Sequence, residues 1–321
     1  IATNNGRFMN VASVVGYPKD FIALKLIKKQ VVYGNECLRH RMSVDMMQPL
    51  KNGVIASSSK SDSEIEEKAA REFVKYLVSL TEKKEDQKMY VVVGAPARAS
   101  VQDKQTIAET LKDMVDGVLV VSEPFLVAYG MGLFGFAVIV DIGAGTLDIC
   151  RMHGTLPDKN DQVTFSKAGN HIDEIFYKML KEKIPNAHIT PLIARRIKEQ
   201  HAFVGHPKEK VVVDFIVSGN AVQNDITNEI RDACATIMPD VIIAVKDLIN
   251  GFDPEYQKDL RENIIIAGCG NRIAGLNTAL EKDLADLGNV KIHLVEDPIY
   301  AGAIGGLKLA QDMPPSEWES I

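Results

Sequence analysis

Residues 136–150, FAVIVDIGAGTLDIC, bring together the side chains whose types and spacing could handle a phosphate. Apolar β-formers at 137–140 lead into Asp141. Gly143, Ala144, Gly145 and Thr146 follow, and a second apolar segment carries Asp148 just inside it. Strand, glycine turn, strand is the pattern of a β-hairpin whose tip can approach a ligand closely. The glycines are expected to take positive φ and leave N–H groups pointing outward, a concavity suited to phosphate oxygens. Asp141 cannot itself bind phosphate. It can hold the hydrated Mg²⁺ that accompanies a nucleotide, because Mg²⁺ prefers carboxylate and water oxygens. A plain glycine hairpin would show the same spacing, so the rest of the chain has to decide.

Three further places could contribute chemistry. Glu123 follows the apolar run 118–121 and precedes Pro124, so it sits at a strand-to-helix junction, a common address for a functional residue in an open α/β sheet. A solvated acid at a helix start would look the same. Gly268, Cys269 and Gly270 follow the apolar run 264–267 and precede a helical pattern with Ile273, Leu276 and Leu280 inward. Strand, small-residue turn, helix lets a backbone approach a phosphate or nucleoside. Lys198 and Glu199 lie in a helical stretch, 189–200, where charges most often form a wet face.

The elements that must position these residues alternate β and α throughout. Strands are expected at 89–93, 118–121, 136–150, 164–168 (ending at Gly169 and Asn170), 211–217, 264–267 and 290–295. Helices are expected from residue 62 or 63, where acids crowd the first turns, and over 101–115, 172–180, 189–200 and 299–309. The region 226–249 reads as one long helical stretch loosened at Pro239, and 57–63, SSSKSDS, as an exposed loop. Two strand-rich halves meet near Gly135. Gly302, Gly305 and Gly306 in one helix each cost about 1 kcal/mol against alanine, which points to close packing.

The whole chain is 321 residues, 46% hydrophobic and 25% charged, a globular composition with ample core. Its formal net charge of −6 argues against a nucleic-acid partner. The four cysteines, Cys37, Cys150, Cys234 and Cys269, are scattered without a CxxC, as in a reducing cytosol and not in a disulfide or zinc framework. No apolar run reaches transmembrane length and no signal peptide is expected, so no direct membrane insertion follows.

Taken together, DIGAGT at 141–146, GCG at 268–270 and the small-residue helix after Pro298 resemble the second phosphate motif, adenosine motif and second connecting helix of the actin, sugar kinase and heat-shock chaperone ATPase superfamily. Within it, VVGAPARAS, VVSEPF, DIGAGTLDIC, DQVTFSKAGN and FDPEYQ are most similar to the bacterial actins of magnetosome chains, over nearly the whole length. The resemblance implies an α/β, actin-like fold: two ribonuclease-H-like lobes around a nucleotide cleft, each with a smaller inserted subdomain. The first lobe would span 1–135 with an insert at about 17–60, and the second 136–321 with an insert at about 196–259. The last helix, about 299–311, would pack back on the first lobe. ATP or ADP with Mg²⁺ would sit between them. Glu123 would orient the attacking water and Asp141 would hold the metal through water. Gly143, Ala144, Gly145 and Thr146 would contact phosphates. Gly169, Asn170, Lys198, Glu199, Gly268, Cys269, Gly270 and Arg272 would line the nucleoside side. The implied partners are the chain itself in a homopolymer filament, a full-length relative, and a magnetosome-associated adaptor. The implied place is the cytoplasm, alongside magnetosomes.

Two departures from the family pattern bear on these expectations. No DxGT, the first phosphate motif, lies upstream of Gly16, and Leu147 is apolar at the loop edge where the pattern is polar. The chain would therefore begin past the first strand or belong to a divergent paralogue with altered nucleotide handling. Three functions compete: a polymerising ATPase, a monomeric small-molecule kinase, and a non-catalytic paralogue that co-polymerises with a full-length actin.

Overall fold

The computed structural model describes residues 1–55, 63–84 and 86–318. All but the last residue of the serine-rich run 57–63 therefore lies outside the described residues. The chain divides into two compact units, Ile1–Ser122 with Gly302–Ile321, and Glu123–Ala301.

The first unit opens with β1 (Val15–Pro18), α1 (Phe21–Ile27), β2 (Val32–Tyr33), α2 (Gly34–Arg39) and β3 (Val44–Met47). β1 is the middle strand of an antiparallel sheet ordered β2-β1-β3. The start of α1 is set by Asp20, whose carboxylate accepts from the amides of Ile22 and Ala23, and Lys28 closes the helix in the left-handed region. A hairpin of β4 (Leu50–Lys51) and β5 (Val54–Ile55) follows. Then come α3 (Ser63–Ser79), β6 (Tyr90–Ala95), α4 (Val101–Leu111) and β7 (Gly117–Ser122). β6 and β7 pair in parallel through the α4 crossover. Ser100 and Asp103 form a reciprocal capping box at the start of α4. Ala70, Ala95, Ile107, Leu111 and Val118 supply the core here.

The second unit contains α5 (Glu123–Met131), β8 (Phe136–Ile142), β9 (Leu147–His153), β10 (Gln162–Phe165), α6 (Gly169–Lys183), α7 (Pro191–His201), β11 (Val212–Val217), β12 (Asn220–Asp225), α8 (Thr227–Ala235), α9 (Met238–Asn250), α10 (Gln257–Arg261), β13 (Ile264–Ala267), α11 (Leu276–Asp283) and β14 (Ile292–Leu294). α12 (Ala301–Asp312) and α13 (Pro315–Trp318) end the described chain. The main sheet runs β10-β9-β8-β13-β14. β8, β9 and β10 are antiparallel neighbours, whereas β13 is parallel to both β8 and β14. Residues 137–140 are buried on both faces, which is why β8 reads as a continuous apolar run and not as an alternation. Ile172, Phe176 and Leu180 of α6 pack in one core with Val138, Val140 and Ile149.

Two of the motif stretches that carried the resemblance meet in this unit. Asp161, which opens DQVTF, accepts from Arg151 Nε at 2.9 Å and faces His153 Nε2 at 3.0 Å. The same guanidinium donates to the carbonyl of Leu248 at 2.8 Å and lies 4.3 Å from the ring of Phe252, the first residue of FDPEYQ. Tyr256 of that stretch stacks on Phe136 at 4.3 Å. The two stretches thus clamp the outer end of β8 and β9.

Several elements differ from expectation. β12 is a strand although NAVQND is polar, because it is largely exposed and its register is set by the turn before it. Ser218 and Gly219 both take positive φ, the geometry of a two-residue hairpin turn. The 226–249 stretch is two helices, with Pro239 in the first turn of the second, where it is tolerated. In α12, Gly305 and Gly306 are buried but a side chain at Gly302 would meet open space, so close packing does not account for that glycine.

Candidate functional site

The hairpin expected at 136–150 forms, with Asp141 directly opposite Asp148 and Ile142 opposite Leu147. The turn closes through the amide of Gly143 and the carbonyl of Thr146 at 2.9 Å. The positive φ expected of its glycines does not occur, since neither Gly143 nor Gly145 is among the positive-φ glycines. The tip is shaped instead by close approach. A Cβ on Gly143 would stand 3.1 Å from the Thr146 carbonyl.

The start of α6 caps this tip. The amide of Gly169 donates to the carbonyl of Gly143 at 3.1 Å, and that of Asn170 to the carbonyl of Ala144 at 2.7 Å. These bonds replace the side-chain cap that Ala168 lacks, and they start the helix at Gly169, three residues earlier than periodicity indicated. They also orient the tip. In a planar trans peptide the C=O and the following N–H point opposite ways. With the carbonyls of Gly143 and Ala144 turned toward α6, the N–H groups of Ala144 and Gly145 face away from it. Glycine at 169 eases this approach, because a Cβ there would stand 3.1 Å from the Gly143 carbonyl and 3.3 Å from Ala144 Cα, and the tip would have to give by a few tenths of an ångström.

Lys198 of α7 reaches the same junction. Its ammonium donates to the carbonyl of Gly169 at 3.0 Å and pairs with Asp173 at 2.7 Å. Burial lifts the Asp173 carboxyl above its ordinary value, and Lys198 offsets part of that. Glu199 points elsewhere, onto the exposed face of α7, where it accepts from Arg195 at 2.9 Å.

The second glycine turn arrives from β13. Ala267 lies opposite Asp141 in the parallel register, so the turns after β8 and β13 open at the same end of the sheet. Gly268 takes φ +67°, and a Cβ there would collide with Asp141 Oδ1 and the Ile142 carbonyl. Gly270 is held as tightly against the Ile142 side chain. Cys269 and Arg272 are exposed.

Glu123 is the first residue of α5, which packs on β8 and β9. Burial, followed by the nearby charges of Asp141 and Asp148, pushes its carboxyl up to about 8. Burial, then Asp148, pushes Asp141 up to about 7. Three acids with surplus negative charge fit a cation. Among the described residues, no group of three or more His, Cys, Asp and Glu side chains could hold a metal ion directly.

Of the candidate residues, one unit brings together Glu123, Asp141, the 143–146 tip, Gly169, Asn170, Lys198 and Gly268. Glu199 is turned to an exposed ion pair. Sequence reasoning passed over Asp173 and left Asp148 without a role. Asp173 stands four residues after Gly169, one helical turn along, and that spacing was the available signal.

The MreB/Mbl protein family model matches residues 2–317. The chain is 38% identical over 321 residues to the actin-like protein MamK of Paramagnetospirillum magneticum, covering all of this chain and 91% of that one. A MamK double helical filament structure matches with a TM-score of 0.93 at 38% identity, over 98% of this chain and 95% of the other. A non-polymerising MamK mutant bound to AMPPNP matches with a TM-score of 0.74 at 38% identity, over 96% of this chain and 94% of that one.

Proposed function

The chain belongs to the MreB/Mbl family and has the actin-like fold of a MamK-type bacterial actin, and from that premise we propose that it binds ATP and ADP with Mg²⁺ and self-assembles into filaments that organise magnetosomes. The observation that carries the nucleotide reading is the junction of the 143–146 tip, the start of α6 and the Gly268 turn around Asp141. The likeness to a filament structure and to an AMPPNP-bound relative supports both parts.

In this reading the N–H groups of Ala144 and Gly145, with Gly143 and Thr146, receive phosphate oxygens. Asp141 holds Mg²⁺ through water. The bound ion would neutralise phosphate charge and the charge of the acids behind it. Glu123, at the start of α5, orients the attacking water, so the filament is an ATPase. Gly169, Asn170, Lys198, Gly268, Cys269, Gly270 and Arg272 line the nucleoside side. The smaller inserted subdomains would span about residues 17–60 and 196–259. A full-length MamK is a second partner in a mixed filament, and an adaptor such as MamJ links the filament to magnetosomes in the cytoplasm. Among the described residues no helix is long and apolar enough to cross a membrane.

Ultracentrifugation tests the proposal. The protein should pellet with Mg-ATP and stay in the supernatant without it. Pelleting only in the presence of a full-length MamK would replace the homopolymer with a co-polymer. Failure to pellet in either case, with ATP bound and hydrolysed, would favour a monomeric kinase.

A further inference from the structure

Lys198 is paired before any ligand arrives. Its ammonium lies between the Asp173 carboxylate at 2.7 Å and the Gly169 carbonyl at 3.0 Å. The Lys198 and Asp173 side chains are 14% and 15% exposed. Gly169 and its neighbour Asn170 in turn hold the carbonyls of Gly143 and Ala144. A continuous chain of polar contacts therefore runs from Asp173 to the hairpin tip, through residues on α6, α7 and the β8–β9 turn. We infer that Asp173 is a positioning residue: acting through Lys198, it locks the start of α6 against the tip and holds the amides of Ala144 and Gly145 toward the phosphates. This inference rests on the nucleotide reading above.

The physical argument concerns the number of donors. A lysine ammonium has three N–H groups and no preferred plane, so one carbonyl alone does not fix it. The carboxylate fixes it by charge, and in a mostly buried site that attraction is weakly screened. The ammonium is then held by one hydrogen bond to the Gly169 carbonyl and by the charge of Asp173, and it keeps donor capacity to meet a ligand. Without Asp173 the ammonium is drawn toward solvent or toward the nucleotide. Gly169 loses its restraint, and the peptides at 143–145 gain freedom to turn. A preorganised donor set is worth more than one ordered on binding, because the ordering cost is removed beforehand.

Asp173→Asn, Lys198→Met and the double variant test this. Binding of a fluorescent ADP analogue with Mg²⁺ should weaken about tenfold in each single variant, with the double no weaker than the worse single, as for two members of one network. Asp173→Glu, which keeps the charge, should restore most of the affinity. In nucleotide-free protein, amide hydrogen exchange at Ala144 and Gly145 should quicken in Asp173→Asn while the melting temperature and exchange in the β8 core stay near those of the parent. Additive losses, unchanged affinity in Asp173→Asn, or unchanged exchange at the tip would overturn the positioning role. A uniform rise in exchange with a fallen melting temperature would also overturn it, as a purely structural contribution. Absence of binding by the parent protein would overturn the nucleotide reading, and exchange at the tip would still decide the relay.

Discussion

Asp141 and Asp148 stand directly opposite one another on β8 and β9, two carboxylates in one cross-strand pair at the end of a buried sheet. Like charges so placed repel. Asp148 is 1% exposed and accepts from the Thr164 hydroxyl at 2.6 Å, so it cannot swing away to relieve the repulsion. Behind the pair, Glu123 is raised by burial and by both of these charges. The cluster of like charges therefore costs stability.

Removing one charge should therefore stabilise the nucleotide-free protein. Asp148→Asn keeps an oxygen for Thr164 and removes the repulsion, for a gain of about 0.2–1 kcal/mol. Thermal unfolding without nucleotide should shift upward, and the increment from adding Mg-ADP should shrink. A fall in stability without nucleotide would show that Thr164 and its surroundings require the charge.

Glu123→Gln should slow ATP hydrolysis by about 10²–10⁴-fold, the usual contribution of a positioned acid or base. Assembly should survive, because nucleotide binding is left intact. Phosphate release and pelleting measured on one sample would separate the two. Normal phosphate release with poor pelleting would remove Glu123 from the reaction.

Gly268→Ala should be costly twice over. The backbone at φ +67° strains any side chain, and the new methyl would meet Asp141 Oδ1 and the Ile142 carbonyl. A loss of at least about 1–3 kcal/mol follows from the backbone alone. Urea unfolding measures it, and Gly302→Ala, where a Cβ meets open space, serves as the control. Equal midpoints for the two variants would mean that the turn after β13 yields easily.

The buried Asp161 site should make stability depend on acid. Burial would raise this carboxyl, but the Asp158 amide, His153 and Arg151 more than offset it, and the net shift is below its ordinary 3.8. A group depressed in the folded state stabilises fully above its unfolded value and loses that contribution as pH falls through the folded one. Stability from Asp161 should hold down to about pH 5 and decline steadily below it. In Asp161→Asn that portion of the decline should vanish, on a lower plateau, because Arg151 is left buried without its partner. Urea midpoints across that pH range, for parent and variant, supply the comparison.

From α3 onward the strands and helices were largely legible in the sequence because their signals are local, whereas α1, α2 and β2 to β5 were not expected. The apolar run of β8, the glycines after it and the helical period of α6 each lie within a few residues. β12 was illegible because a strand exposed over much of its length carries no alternation, and only the Ser218-Gly219 turn betrays it. The true start of α6 was hidden for a related reason, since its cap is the carbonyls of Gly143 and Ala144, some 25 residues upstream and not in a neighbouring side chain.

The sequence by itself determined that two glycine turns follow buried strands, that Asp141 precedes the first, and that Lys198 and Glu199 share a helix. It could not separate that lysine from that glutamate, because residues adjacent in a helix point about 100° apart and only packing says which direction is inward. The tertiary structure turned Lys198 onto Gly169 and Asp173 and left Glu199 exposed. It also placed β13 parallel beside β8 in the register that sets Gly268 against Asp141. That pairing joins residues more than a hundred positions apart, and it is selected by burial of both strands in one core, a property of the whole sheet and of no segment alone.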